Sequence, residues 1–507
     1  MIVSDLLVRN VRNRPQKEAI FCEPCQIRLT YYELNVRVNR LCNMLLDEHV
    51  QKGDRIAVVS SNCHIHPELI MAVAKAGWVL VEIDHRLSTR EIQYILEDSQ
   101  SQVLFVGEDL EDVTSSLPSI LPKLKRITFS DYKDITDSYS DKEPEIDVSE
   151  DDIITLMYTS GTTGDAKGVI YTHKNLSAAL TNMVAMLKVR EDDKALHTSP
   201  FSHIAPIWPF LLHCYYGGSN VIINNIKPIH ILEVIESEKI TTWNTVPVVI
   251  SRIVDTEGKE HVDVSSLRWI SYGASAIQLP VLKKALRFFG NILNQVYGCT
   301  ETYVISFLQD RYHKLEGGER ELRRLSSCGL EMINTETIVV KQNGSEVKAG
   351  EVGEVITRGD HIGPGYWRKE NETAQSYKDG YFYTGDLAAK DSDGFIYIRS
   401  RRKDIIVSGG ENISPNEVEN VLHDHESVSD ATVVGLPHKV WGEAVTAFVI
   451  LYPGQVVTED DLIAFCRGKL AGFKCPKSFI FVDDFPRTTS GKILKRKLRD
   501  LYIDYFE

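Results

Sequence analysis

Short β-branched runs alternate with helical patterns along the first 400 residues of this 507-residue chain. Strands separated by helices need crossover connections, so the pattern implies α/β layers around largely parallel sheets. Arg55-Ile-Ala-Val-Val-Ser predicts a strand, 67–77 an apolar helix ending at Gly77, and Val79-Leu-Val-Glu-Ile a second strand. Ser88 then caps a helix and Val103-Leu-Phe-Val follows as a strand. Residues 141–152 are acidic and poor in apolar side chains, which reads as a solvated linker. The texture changes at Tyr397-Ile-Arg-Ser-Arg-Arg-Lys-Asp. Before it lie Gly-rich strand-and-turn segments; after it come a helix at 415–423, strands at 430–435 and 444–451, and a helix at 459–469. The expected fold class is α/β: a large N-terminal domain of layered α/β subdomains (1–400) plus a small mobile α+β C-terminal domain (401–507). The charged connector between them is of a kind that permits relative movement.

With 57 Lys+Arg against 71 Asp+Glu, the formal net charge is −14. That excludes a nucleic-acid-coating protein, whose binding is driven by Lys and Arg on phosphates, but leaves room for a local basic pocket. The start lacks the basic and apolar regions of a signal peptide, and the longest apolar stretch, 204–216, is interrupted by Pro206, Pro209 and His213. A cytoplasmic location is expected. The lone Cys22-Glu-Pro-Cys25 lies between two strand-like segments, so it is expected to be a hairpin turn without metal or redox chemistry.

The strongest local signal is Thr159-Ser160-Gly161-Thr162-Thr163-Gly164-Asp165-Ala166-Lys167-Gly168, which follows the strand Ile153-Ile-Thr-Leu-Met-Tyr. Small residues let a backbone fold closely around an oxyanion, their N–H and O–H groups donate, and Lys167 adds charge. It is no Walker A loop, because Gly-Lys-Ser/Thr does not follow Gly161 at the required distance.

This loop resembles the signature of the adenylate-forming superfamily, which includes acyl-CoA synthetases, peptide-synthetase adenylation domains and firefly luciferase. The resemblance continues in order: Tyr297-Gly298-Cys299-Thr300-Glu301, then Tyr383-Thr384-Gly385-Asp386, then the hinge-like Arg401-Arg402-Lys403-Asp404. It ends with 486–492, which resembles the catalytic-lysine loop. The resemblance implies a ligase that converts a carboxylic acid and ATP to an acyl-adenylate and pyrophosphate. It assigns ATP contacts to Thr159, Ser160, Gly161, Thr162, Thr163, Gly164 and Lys167, and Mg²⁺ ligation to Glu301 with Thr159. Gly273-Ala274-Ser275 and Gln295-Val296-Tyr297 are expected around the adenine, Tyr297 stacking on it, with Gly298 and Thr300 as further ATP contacts. Asp386 would accept from both ribose hydroxyls and Arg401 would contact ribose or phosphates. Lys492 would stabilise charge in adenylation, and His203 would lie beside the carboxylate. Tyr272-Gly273-Ala274-Ser275 departs from the usual Gly-Gly-Ala-Pro.

Ser408-Gly409-Gly410-Glu411 resembles the acyl-CoA synthetase version of its loop. The resemblance then implies a C-terminal domain that swings about Lys403, bringing Gly409 and Gly410 to the pantetheine arm of CoA. A peptide-synthetase reading is disfavoured, because 201–205 offers no Asp for an α-ammonium. Ile204, Ile207, Trp208, Val246, Pro247, Tyr272, Cys299 and Tyr303 form the candidate acyl pocket. Its apolar character suits a hydrophobic monocarboxylic acid, fatty or aryl. Three alternatives stay open at this level: transfer to an acyl carrier protein, an adenylate-binding protein without catalysis, and a nucleotide-binding scaffold.

Overall fold

The structure is a computed structural model that describes residues 1–159, 166–488 and 492–506. Four sheets organise it. In the first, Lys125–Thr128, Ser101–Val106, Arg55–Val59, Val79–Ile83 and Ile153–Thr159 run parallel in that spatial order, and Lys167–Thr172 closes the edge antiparallel. Val79–Ile83 is buried throughout, as a strand covered on both faces must be. The expected apolar helix is Ile65–Ala76, every residue of it buried, ending at Gly77 with φ +67°. Ser88 caps Thr89–Ser99 through a reciprocal pair of bonds with Glu91.

The second sheet has nine strands. From Leu293–Cys299 through Trp269–Tyr272, Thr242–Thr245, Lys194–His197 and Ser219–Ile222 to Glu18–Cys22 they are parallel, with antiparallel strands at both edges. One apolar core joins the two sheets. Val58, Leu80 and Phe105 of the first and Ile20, Ile222 and Phe307 of the second share it with helices Tyr31–Asp47, Ile65–Ala76, His173–Met186 and Ile204–Tyr216.

A third, antiparallel sheet has Tyr381–Lys390 paired with Val352–Arg358, Tyr377–Lys378 and Ile396–Arg401. Arg401 stands opposite Asp386 here. The chain therefore leaves this sheet one residue later than the expected 400/401 division, through the short turn Arg402–Asp404. The fourth sheet follows, built on Ile406–Ser408, Glu411–Ile413, Val428–His438, Gly442–Leu451 and Ser478–Phe481, with helices Pro415–His423 and Glu459–Arg467.

The acidic segment near residue 141 is not a free linker. Asn39 Nδ2 donates to Asp141 O (2.9 Å), Asn43 Nδ2 to Ser140 O (2.7 Å) and Lys52 Nζ to Asp147 O (2.9 Å). Glu143 pairs with Lys75, whose ammonium also donates to Asn35 and Asn39. Burial lowers the pKa of Lys75, so without these partners its charge would be costly. Charge complementarity to a buried cation, invisible in local composition, turns the segment into a strap. No described helix is long and apolar enough to cross a membrane.

Candidate active site

Thr159 and Lys167, the two described flanks of the expected phosphate loop, face each other across an antiparallel pair. Ser160, Gly161, Thr162, Thr163 and Gly164 lie outside the described residues. Residues 363–367 bind the strand Lys167–Thr172: Ile170 N donates to Gly365 O (3.0 Å) and Trp367 N to Gly168 O (2.8 Å). A Cβ on Gly363 would stand 2.5 Å from Ile170 O, so the approach requires glycine.

The same segment reaches Glu301. Gly363 N donates to Glu301 O (3.0 Å), and the Tyr366 hydroxyl donates to Glu301 Oε1 (2.7 Å). Lys167 Nζ lies 5.1 Å from the centroid of the Tyr366 ring, within cation–π range. Tyr366 thus touches both the loop lysine and the expected metal carboxylate. Sequence reasoning missed it, and Gly363-Pro364-Gly365 before an aromatic was the only local signal.

Glu301 sits in a tight turn between Leu293–Cys299 and Tyr303–Leu308. A Cβ on Gly298 would fall 1.7 Å from Tyr303 O, a distance no side chain survives. Tyr303 holds φ +61°, Thr302 Oγ1 accepts from Cys299 N (3.1 Å), and Tyr171 Oη donates to Thr300 O (2.6 Å). These contacts fix Thr300 and Glu301 from three sides.

Asp386 is 7% exposed and engaged at both oxygens. Tyr297 Oη donates to Oδ2 (2.8 Å), and Arg401 Nε lies 3.2 Å from Oδ1. Burial raises the Tyr297 phenol well above its usual range, and the neighbouring carboxylate adds to the effect. The expected adenine flanks come together through the pairing of Tyr272 with Gln295. Gly273 packs so closely that a Cβ would meet Val296 O at 2.4 Å, and Ala274 takes φ +69°.

Lys492 comes from the C-terminal unit, its backbone N donating to Thr488 Oγ1 (3.0 Å). Desolvation and then the Arg401 guanidinium lower its pKa, while Asp386 and Glu301 pull it back up. These groups of both units therefore share one electrostatic environment. His203 lies at the start of Ile204–Tyr216, with Nε2 3.6 Å from Asp84 Oδ2. Burial, outweighing Asp84 and aided by Arg86 and Lys492, brings it down to about 4, so the imidazole is neutral at pH 7. Asp84, also unforeseen, accepts from Arg86 Nε at 3.1 Å. It follows Val79–Ile83, at the carboxyl end of a parallel strand where such sites form.

Of the candidate acyl residues, Ile207, Trp208 and Tyr303 are buried in one cluster, with Ile204 packed against it. Val246 is half-buried before helix Pro247–Val254, which Pro247 opens, and Cys299 is half-buried beside Thr302. Tyr272 is placed apart. It is fully buried in a different cluster, its hydroxyl bonded to His313 Nε2 (2.8 Å). Lys403 lies exposed in the turn between the third and fourth sheets. Gly409 and Gly410, at φ +59° and +87°, form the tip of the hairpin between Ile406–Ser408 and Glu411–Ile413. Gly409 N donates to Trp441 O (2.8 Å), a contact within the C-terminal unit.

The donor set fits the Mg²⁺ that the fold implies. Glu301 and Thr159 offer oxygens, which this hard cation prefers, and among the described residues no three His, Cys, Asp or Glu side chains form a metal cage. A cation shared with phosphate oxygens needs only such a sparse protein contribution.

Residues 7–367 match the AMP-binding enzyme family, and 417–492 match the C-terminal domain of AMP-binding enzymes. A feruloyl-CoA synthase from Amycolatopsis sp is 34% identical over 493 residues, 97% of this chain and 97% of that one. ScoC of Streptomyces coeruleorubidus, a fatty acid–[acyl-carrier-protein] ligase, is 32% identical over 498 residues, 97% of this chain and 95% of that one. ATP-bound MatB from Rhodopseudomonas palustris superposes with a TM-score of 0.91 at 27% identity, covering 99% of this chain and 100% of that chain.

Proposed function

The chain belongs to the AMP-binding enzyme family, in its acyl-CoA synthetase-like branch, and on that premise we propose that it activates a hydrophobic monocarboxylic acid, fatty or aryl, and passes it to CoA. The observation that carries this reading is the buried Asp386 held by Tyr297 (2.8 Å) and Arg401 (3.2 Å), with Lys492 electrostatically coupled to Arg401, Asp386 and Glu301. A carboxylic acid is ionised at neutral pH, so the first step needs alignment and positive charge rather than a general base. The acid's oxygen forms a bond to the α-phosphorus of ATP as the bond to pyrophosphate breaks. Lys492 supplies charge to the oxygens gathering it, and Lys167 and Arg401 hold the rest of the nucleotide. Asp386 keeps lone pairs for the ribose, since each carboxylate oxygen accepts more than one bond. Glu301 and Thr159 would hold Mg²⁺, which when bound neutralises phosphate charge. In the second step a thiol attacks the acyl carbon and AMP leaves. The turn Arg402–Asp404 is where the C-terminal unit would rotate, with Gly409 and Gly410 lining the thiol's path.

The test is pyrophosphate release across acids from acetate to stearate and substituted benzoates, with and without CoA. Release that needs an apolar acid, with acyl-CoA as product, supports the reading; release that ignores the acid overturns it. The similarity to ScoC supports a second acceptor, a phosphopantetheinyl carrier protein. Acid-dependent pyrophosphate release without turnover of free CoA would favour that acceptor.

A further inference from the structure

Helix Leu279–Phe289 follows strand Trp269–Tyr272 of the second sheet and opens at Gln278, a position where Ser, Thr, Asp or Asn normally caps the helix. Gln278 makes no such cap. Its side chain reaches across to the C-terminal unit instead. Nε2 lies 2.5 Å from His423 Nε2 and donates to Asp430 Oδ1 (3.4 Å). His423 ends helix Pro415–His423 and Asp430 stands near the start of Val428–His438, with His423 Nε2 3.2 Å from Asp430 Oδ1.

The second oxygen of Asp430 leads to the lysine loop. Arg487 Nη2 donates to Asp430 Oδ2 (2.5 Å), and Arg487 pairs antiparallel with Ile493. Beside that bridge, Leu494 N donates to Pro486 O (2.7 Å) and Thr488 N to Lys492 O (2.6 Å). Arg487 is thereby tied to the flank that carries Lys492. Past it, Lys495 Nζ lies 2.7 Å from Glu419 Oε1, which also accepts from Val433 N (2.7 Å). Burial would raise the Asp430 carboxyl, but His423 and Arg487 outweigh it and hold it below the usual carboxylate range. Asp430 is a charged junction, with one oxygen towards the glutamine of the N-terminal unit and the other on the lysine loop. Ser414 Oγ also joins the two units, donating to Arg399 O (2.7 Å), but that bond lies beside the turn Arg402–Asp404. A rotation about the turn must part Gln278 from His423 and Asp430.

We propose that Gln278 is a positioning residue for adenylation: through Asp430 and Arg487 it holds the C-terminal unit in the orientation that presents Lys492 to the nucleotide. This rests on the reading above, in which Lys492 serves the first half-reaction and the unit then turns. The bond exists in one orientation and is absent from the other, so it favours one half-reaction alone.

Two measurements on the full-length protein test it, the first without substrates. Arg401, Arg402 and Lys403 are trypsin sites in or beside the turn, and a loosened C-terminal unit leaves them open to attack. Gln278→Leu keeps the bulk of the side chain and loses its amide. Cleavage at the turn should be roughly 2- to 10-fold faster in it than in the parent, the scale of one lost hydrogen bond. The second measurement separates the half-reactions. Acid-dependent pyrophosphate exchange should fall by a similar factor with KM for ATP unchanged, while thioester formation from supplied acyl-AMP should hold or rise. Asp430→Asn, which weakens the Arg487 contact as well, should move both readouts the same way and further. Equal losses in the two half-reactions, or cleavage at the parental rate in both variants, overturn the proposal. A parent without acid-dependent exchange would refute the reading of the site, and cleavage at the turn would still decide whether Gln278 holds the unit.

Discussion

Tyr297 Oη donates to Asp386 Oδ2 at 2.8 Å, joining the second sheet to the third at the point where Arg401 meets the other carboxylate oxygen. A buried carboxylate held from two sides cannot rotate to follow its ligand, so its orientation is set before a nucleotide arrives. Tyr297→Phe removes a hydrogen bond to a charged group, worth about 1.5–3 kcal/mol. The expected outcome is a rise in KM for ATP of roughly 10- to 100-fold with the KM for the acid unchanged. Steady-state kinetics with each substrate varied will decide it; unchanged KM for ATP with a lowered melting temperature would reduce Tyr297 to a structural part.

Tyr366 touches Glu301 and Lys167 together, so Tyr366→Phe should loosen the metal carboxylate while keeping the ring under the lysine. Removing a group that orients a ligand typically costs about 10–100-fold in metal affinity or activity. Pyrophosphate exchange titrated with Mg²⁺ should show a midpoint shifted to higher concentration, largely restored at saturating metal. Superimposable titrations of variant and parent would contradict the assignment.

Lys492→Ala removes the cation that the C-terminal unit brings to the site. Adenylation should fall by roughly 10²–10³-fold, the usual scale for one preorganised charge-stabilising group. Thioester formation from supplied acyl-AMP should persist. Equal losses in both assays would show that the lysine serves both steps or neither.

Acid stability follows from the buried histidines. Burial lowers His173, His197, His313 and His361 each to about 4, below the value near 6.5 of an unfolded chain. The unfolded chain therefore binds more protons between those values, and stability present above pH 6.5 is lost as pH falls towards 4. Each site contributes a slope of at most about 1.4 kcal/mol per pH unit. His64 acts oppositely: burial would lower it, but the Glu68 carboxylate beside it raises it to about 9, so its contribution is complete below pH 6.5 and fades as pH rises through 9. Melting temperature against pH should fall on both flanks, and His197→Gln should flatten only the acid one.

Local sequence made the fold more legible than the site. The β-branched runs marked the parallel strands, whereas Glu301, Asp386, Arg401 and Lys492 are singled out by the resemblance of their motifs to the family's and not by their own chemistry. Tyr366 and Asp84 escaped because their meaning depends on pairing across distant segments. A tyrosine 65 residues from Glu301 carries no sign of its partner. Likewise, nothing near Tyr272 in the sequence announces that its hydroxyl meets His313, 41 residues on, in the core. The acidic stretch near 141 misled for a related reason. Composition reports solvation on average, whereas Glu143 answers one buried ammonium at Lys75.

That strap has a consequence for synthesis on the ribosome. Helices Tyr31–Asp47 and Ile65–Ala76 are complete in the nascent chain long before residues 140–147 are translated. Until Glu143 emerges, packing these two helices together would bury Lys75 without its carboxylate, which weighs against closing the layer early. The amino-terminal helical layer is thereby timed: it locks when the strap lies down, after the strands Arg55–Val59, Val79–Ile83 and Ser101–Val106 have all left the tunnel. A chain stopped short of residue 140 would hold the same helices in a looser, protease-sensitive state.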